Sequence, residues 1–248
     1  MMIIDPKVQV LMRKEDLDPR LVAQRVFIVL DILFATSTIV TALAHGARSI
    51  LPAVDAQAAR ALARGRDPES FLLAGEHLAE PIEGFAPPTP LALIERGVAG
   101  RDVIYSTTNG TVALNALVEA EHVYAAALLN GASTIRHVLA HHRHERIVVL
   151  CSGSIGHFNL EDWYGAGYLI DLIATACAES VDLSDAAHAA RMGYGAMAPQ
   201  AALLSGRVGR LFARRGLASE IEYASRCSVH DVVVRREGQA LVRASVLR

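Results

Sequence analysis

The sequence predicts an α/β fold, a mainly parallel sheet flanked by helices, with a helical C-terminal half that ends in a β-hairpin. Three observations predict it. Short apolar, β-branched runs alternate with Ala- and Leu-rich stretches of helical length through residue 151, the pattern of βαβ units. After Asn159 the chain turns strongly helical. Near the end, the apolar runs 231–235 and 240–243 straddle the turn-forming segment 236–239 (REGQ), which reads as an antiparallel hairpin.

Strands are expected at 7–12, 26–31, 49–53, 70–74, 102–106, 122–127 and 146–151, each a short apolar run. Helical patterns fall between them at about 37–45, 55–64, 89–96, 111–119 and 133–142. Ser37, Asp55, Thr89, Thr111 and Ser133 stand where N-caps belong, since their side-chain oxygens can accept from the free N–H groups of a first turn. Gly46, Gly65 and Gly97 follow three of these helices as C-terminal stops. Helices are expected again from Asn159 to roughly 180, then over 184–194, 199–214 and 218–226. The chain reads as one α/β domain over 1–248, divisible into a strand-rich lobe (1–150) and a helix-rich lobe (151–248). The Pro-rich stretch 81–90 is the one long irregular loop, a domain joint or part of a site wall.

Composition narrows the function classes. With 248 residues and 52% hydrophobic content the chain has ample material for a buried core. A formal net charge of −2 gives no basic footprint for nucleic acid. The apolar runs span about four to six residues against the roughly 20 that cross a bilayer, so no membrane segment is expected. Residues 1–6 lack a basic stretch followed by a long apolar core, so no signal peptide is expected and the cytoplasm is the default. Cys151, Cys177 and Cys227 are odd in number and far apart, which predicts reduced thiols and no zinc site.

Three strands end in polar, small-residue turns: 31–38 (DILFATST), 106–111 (STTNGT) and 151–156 (CSGSIG). Ligands of open α/β sheets sit beyond the carboxyl ends of strands, and each turn opens a helix whose free N–H groups favour an anion. Thr36, Ser37, Thr107, Thr108, Asn109, Gly110, Ser152, Gly153 and Ser154 are therefore candidate binding residues, although the same types are ordinary turn and capping residues. Asp31 ends a strand so apolar that its carboxylate needs a metal, an arginine or helix N–H groups. Glu76 and Glu83 flank the loop after 70–74, and Glu161 and Asp162 open the helix after the Cys151 loop. Carboxylates at strand ends suit a hard cation such as Mg²⁺. For Glu161 and Asp162 helix capping is an equal reading, because Asn159 and Asp162 have capping-box spacing. Cys151 is either a nucleophile activated by a helix N-terminus, with His157 near in sequence, or a small buried core residue. His137 and His141 share a helical face, but no acid or cysteine stands beside them in sequence, so a solvated helix end is expected there.

Together these segments resemble the 2-phosphosulfolactate phosphatase (ComB-type) family. The match runs from about Val26 to the carboxyl terminus, through 31–38, Gly75-Glu76, 82–85 (IEGF), 107–111 (TTNGT) and 158–162 (FNLED). The resemblance implies an α/β fold peculiar to that family and Mg²⁺-dependent hydrolysis of a phosphate monoester on a small acidic three-carbon substrate. It places Asp31, Glu76, Glu83, Thr107, Thr108, Asn109, Glu161 and Asp162 around the site. The family's first motif usually carries Arg where this chain has Phe34, its GGER motif reads AGEH here with His77, and 86–90 is APPTP where the family has LGNSP. Arginine grips phosphate and sulfonate with a planar fork, and loss of such a pair costs roughly 1.5–3 kcal/mol. Two losses predict weaker binding of a doubly anionic ligand, on the order of a hundredfold.

The leading expectation is thus a Mg²⁺-dependent hydrolase of a small acidic phosphate monoester, with Phe34 and His77 in altered anion-binding positions. A second keeps the fold and acts on a carboxylate, amide or lactone through Cys151 or an acid–base pair, and a third is a non-catalytic small-molecule-binding protein. The expected partner is a small anionic substrate, with no nucleic acid and no membrane, and the Ala- and Leu-rich chain is expected to form a homodimer.

Overall fold

Runs such as 26–30, 102–106 and 147–151 are buried at every residue, as strands between two layers must be. The structure, a computed structural model, describes residues 7–23 and 25–244, so the expectation drawn from residues 1–6 lies outside the described residues. In chain order the elements are β1 (Val8–Leu11), β2 (Arg25–Leu30), α1 (Ala35–Ala44), β3 (Ser49–Ala53), α2 (Ala56–Ala63), β4 (Phe71–His77), β5 (Glu80–Pro81), α3 (Pro90–Ile94), β6 (Asp102–Ser106) and α4 (Gly110–Asn115). There follow β7 (His122–Ala126), α5 (Gly131–His141), β8 (Arg146–Cys151), α6 (Leu160–Ala176), α7 (Asp185–Gly195), α8 (Pro199–Ser205), α9 (Arg207–Arg214), α10 (Ala218–Ala224), β9 (Val234–Glu237) and β10 (Ala240–Arg243). No described helix is long and apolar enough to cross a membrane.

The strands form one sheet in the order β1-β8-β2-β7-β9-β10-β3-β6-β4-β5. β1, β8, β2 and β7 are mutually parallel, as are β3, β6 and β4. The hairpin β9–β10 lies antiparallel to both blocks and joins them in the middle of the sheet. Along the ladder the two blocks therefore run in opposite senses. Five strand steps separate β2 from β6, and a right-handed twist of roughly 20–25° per step turns the second block by more than 90°. That rotation lets the carboxyl end of β6 swing round to meet that of β2. A buried cluster drawing residues from Val8 to Ala244 fills the space between sheet and helices.

Helix α1 runs through this core with Ala35 to Leu43 all buried. Its hydroxyls are all satisfied by backbone carbonyls: Thr36 donates to Asp31 O, Ser37 to Ile32 O, Thr38 to Pro88 O and Thr41 to Ser37 O, at 2.7–3.0 Å. Gly46, Gly65 and Gly97 close their helices at φ of +89°, +74° and +74°.

Several expected boundaries move. The first hairpin strand begins at Val234, because Arg236 and Glu237 pair with Leu241 and Ala240, leaving Gly238 (φ +59°) and Gln239 as the turn. The span 199–214 is two helices broken at extended Gly206, where Glu161 packs against the backbone. Asp55 caps α2 by accepting from Ala58 N at 2.7 Å. Ser37, Thr111 and Ser133 lie inside helices that start earlier, after Phe34, Asn109 and Asn130. Thr89 stands at the N-cap of α3, yet its hydroxyl donates to Glu220, which itself accepts from Leu91 N and Ala92 N. Sequence-remote Glu220 thus does the capping.

Candidate active site

Asp31 follows the apolar strand β2 and is only 6% exposed. Thr36 fixes its backbone: Thr36 Oγ1 accepts from Asp31 N at 2.9 Å. The Asp31 carboxylate accepts from the backbone N–H groups of Ala35 and Gly110, at the first turns of α1 and α4. Two helix N-termini therefore point at one carboxylate, an arrangement that favours its charge. Position 110 must be glycine, since a Cβ there would stand 2.4 Å from Ala35 Cβ and 2.7 Å from Asp31 Oδ2. Even so, burial first and the charge of Glu76 second push Asp31 up to about 7, opposed by those donors and Lys14.

Glu76, at the end of β4, accepts from Thr108 N (2.6 Å), Thr108 Oγ1 (3.0 Å) and Ala79 N (2.5 Å). A carboxylate has about four acceptor sites, so one is left for a ligand. Asp162 is fully buried, and its oxygens accept from Ile32 N (2.9 Å) and Gly153 N (3.1 Å), tying together the loops after β2 and β8. Burial and the neighbouring Asp31 push it well above the usual carboxylate range. Asn109 Oδ1 accepts from Lys14 Nζ (3.1 Å) and Ile155 N (3.0 Å), which leaves its amide NH₂ as the donor available to a ligand.

The turn after β2, the turn after β6 and the loop after β8 open onto one cavity of about 760 Å³. Asp31, Glu76, Thr107, Thr108, Asn109, Gly153 and Ser154 face it. Phe34, Phe85, Leu211 and Phe212 form an apolar side, and Arg96, Arg207 and Arg215 bring positive charge to it. Arg215 reaches across to Glu80 (2.6 Å) and Ala79 O (2.5 Å), and Arg207 reaches Ser154 O at 3.5 Å, so α9 is fastened over the opening.

Several of the turns' backbone N–H groups are already taken within the protein. Thr107 N donates to Thr111 Oγ1, Thr108 N to Glu76, Gly110 N to Asp31, Gly153 N to Asp162 and Ser154 N to His157 O. The protein's own carboxylates occupy the helix N-termini. Positive charge for a ligand has to come from side chains or a cation.

The donor set at Asp31 and Glu76 fits a hard cation. It is all oxygen, and the charges of Glu76 on Asp31 and of Asp31 and Glu161 on Asp162 outweigh that of Lys14. Asp31 and Glu76 are the two whose side chains face the cavity.

The family model for 2-phosphosulpholactate phosphatase matches residues 11–239. The chain belongs to this family. A relative from Deinococcus radiodurans named probable 2-phosphosulfolactate phosphatase is 37% identical over 210 residues, 84% of this chain and 86% of its own length. Relatives of the same name from Clostridium perfringens strain SM101 and Clostridium beijerinckii are each 31% identical, over 92% and 76% of this chain and 92% and 78% of their own lengths.

Not every candidate of this phosphatase-family chain reaches the cavity. Thr36 and Ser37 are fully buried and hold the 31–32 backbone instead. Gly110 lies beneath Asp31 as packing and donor. Ser152 is buried, and its carbonyl accepts from Lys14. Glu161 is buried with Oε1 accepting from Gly209 N at 2.7 Å, so it caps α9 rather than facing a ligand. Asp162 is neither a capping-box partner nor a cavity group, because both its oxygens bind strand-end backbone. Glu83 and His77 are exposed and lie off the cavity. Cys151 is fully buried, and burial pushes its thiol well up, so a thiolate nucleophile has no basis; His157 is exposed beyond it. The three cysteines are free thiols. Of the acids expected around a metal, Asp31 and Glu76 face the cavity, whereas Glu83, Glu161 and Asp162 do not.

Lys14, Arg96, Arg207, Phe212 and Arg215 escaped the sequence reading. They come from a 3₁₀ turn, from α9 and from the turns just after α3 and α9, all remote from the strand-end turns, and no local motif marks them. The histidine cluster likewise gains a partner from the fold. His142 bonds Glu145 through Nδ1 (2.7 Å) and Tyr124 OH through Nε2 (2.8 Å), where the sequence had shown no acid beside His137 and His141.

Proposed function

We propose that the protein is a Mg²⁺-dependent phosphatase of small anionic phosphate monoesters, acting in the cavity above Asp31. The observation that carries this is the convergence of two carboxylates, Asp31 and Glu76, with the Asn109 amide and three arginines on one cavity in a member of a phosphatase family. Asp31 and Glu76 would hold the Mg²⁺ ion, which supplies positive charge against the phosphoryl oxygens. The substrate phosphate then meets the Asn109 amide and the Ser154 hydroxyl, while Arg207 and Arg215 take a second negative charge at the opening. Arg207, at the start of α9, and Arg215, just after its end, would stand in for the cations that the family resemblance leads one to expect at Phe34 and His77.

Hydrolysis forms an O–P bond to water as the P–O bond to the alcohol breaks. A carboxylate facing the cavity would take the proton from water and return it to the departing alkoxide. The reading includes a cytoplasmic homodimer, whose mass analytical ultracentrifugation measures directly.

The test is phosphate release from small phosphorylated hydroxy acids with and without Mg²⁺. Mg²⁺-stimulated turnover should fall by about 10²–10⁴-fold in Asp31→Asn. Turnover that survives both that substitution and chelation would refute the proposal, and absence of any turnover across metals would favour a binding protein.

A further inference from the structure

The cavity is chemically divided. Its floor is the polar set around Asp31, while one wall is the stacked pair Phe34 and Phe212, ring centroids 5.1 Å apart and planes 24° apart. Phe85 faces the same space, and Arg60 covers the Phe85 ring at 4.9 Å.

The rim is also apolar. Leu78 and Ile155 line the cavity while 51% and 57% exposed. Both hold left-handed backbone, φ +54° and +52°, a region rare for any side chain and rarer for a β-branched one. Floor residues hold them there: Leu78 N donates to Thr108 Oγ1 (2.7 Å) and Ile155 N to Asn109 Oδ1 (3.0 Å). Two aliphatic side chains are thus kept in water, at a backbone cost, by the residues that face the ligand. Burying them against a ligand recovers that exposure.

Size agrees with this. About 760 Å³ lies in the range of roughly 300–1,000 Å³ that encloses drug-sized ligands, and a phosphorylated three-carbon acid would leave most of it empty.

We propose that the substrate's alcohol carries a bulky aromatic or branched aliphatic group, seated between the Phe34–Phe212 stack and the Leu78–Ile155 rim, with its phosphate at Asp31. This rests on the phosphatase reading above. It makes the Phe34–Phe212 wall the specificity-determining surface.

The experiment compares 2-phospholactate with 2-phospho-3-phenyllactate, which share phosphate and carboxylate and differ only in the ring. With Mg²⁺, kcat/KM should favour the phenyl compound by about tenfold or more, the scale on which an enclosed apolar group discriminates. In Phe212→Ala and Phe212→Leu the ratio of the two values should shrink, most in the alanine variant. A ratio cancels any loss of folded enzyme. Turnover of both compounds at equal rates, or a preference for phospholactate, overturns the inference and leaves the phosphatase reading standing. If neither turns over, calorimetric binding of benzylphosphonate against ethylphosphonate decides. Tighter benzylphosphonate binding supports the apolar subsite although the phosphatase reading fails, and equal or absent binding overturns it.

Discussion

Replacing Asp31 by asparagine should stabilise the metal-free protein above neutral pH while abolishing turnover. Burial and the charge of Glu76 hold this carboxyl at about 7, against an ordinary value of 3.8. Between those values the folded state keeps a proton that the unfolded chain has lost, so stability falls as pH rises, by about 1.4 kcal/mol per pH unit. The loss begins above pH 4, is complete above pH 7, and from pH 5 upward amounts to about 3 kcal/mol. An asparagine amide cannot ionise, so the variant lacks this decline. Any change in the bonds from Ala35 N and Gly110 N shifts stability equally at every pH. Urea unfolding of both proteins at pH 5 and pH 8 in excess chelator isolates the difference, which should favour the variant by about 3 kcal/mol more at pH 8 than at pH 5. A difference that does not change with pH would refute the electrostatic account of the site. Excess Mg²⁺ at pH 8 should then restore the wild type alone, by about 2.7 kcal/mol at a hundred times its Kd.

Four further outcomes follow from the same geometry. Cys151→Ser should keep turnover within about twofold, and the native protein should resist iodoacetamide at neutral pH, because the thiol is fully buried with its ionisation pushed well up. Gly110→Ala should cut turnover and stability together, since the new methyl would stand 2.4 Å from Ala35 Cβ and 2.7 Å from Asp31 Oδ2; unchanged unfolding midpoints would contradict the packing. Glu161→Ala removes the acceptor for Gly209 N and should destabilise by about 1–3 kcal/mol while raising KM more than it lowers kcat, because α9 carries Arg207 and Phe212 to the cavity. Asp102 is held below its ordinary value mainly by Arg48, with Ser49 and Arg66 beside it, so its contribution is present above pH 4 and is lost as acid protonates it. In Asp102→Asn the acid limb of the pH–stability curve should flatten.

The sheet was legible because its strands are buried on both faces, which forces continuous apolar runs such as 26–30 and 147–151. Asp31 was legible for the same reason, as a charge that closes an apolar run needs an explanation. What the sequence hid lies in contacts between distant segments. Glu220 caps α3 from about 130 residues away, and Arg236 and Glu237 look like turn residues until their pairing with Leu241 and Ala240 is seen. Glu161 and Asp162 are adjacent in sequence and were read as a pair, yet successive helix positions point about 100° apart. One therefore meets α9 and the other the ends of β2 and β8.

The largest discrepancy concerns the three turns themselves. Small polar residues opening helices after parallel strands read as anion cradles, and the helix N-termini at Ala35 and Gly110 do hold an anion, but it is Asp31. Glu76 and Asp162 take the N–H groups of Thr108 and Gly153 in the same way. Free turn amides would favour a phosphate directly. Carboxylates on those amides make the pocket more negative, so a phosphate there needs a bound cation or the cavity arginines to draw it. On the proposed function, the carboxylates would seat a cation where free amides would have cradled a phosphate, with Arg207 and Arg215 as further positive groups. Without added divalent ion, then, inorganic phosphate should bind weakly and at a site sensitive to Arg207→Ala. With Mg²⁺ present, phosphate binding should tighten and become sensitive to Asp31→Asn. Calorimetric titration of phosphate in chelator and in Mg²⁺ separates the two states. Equal affinity in both would mean that the buried acids do not need a cation to admit a phosphate.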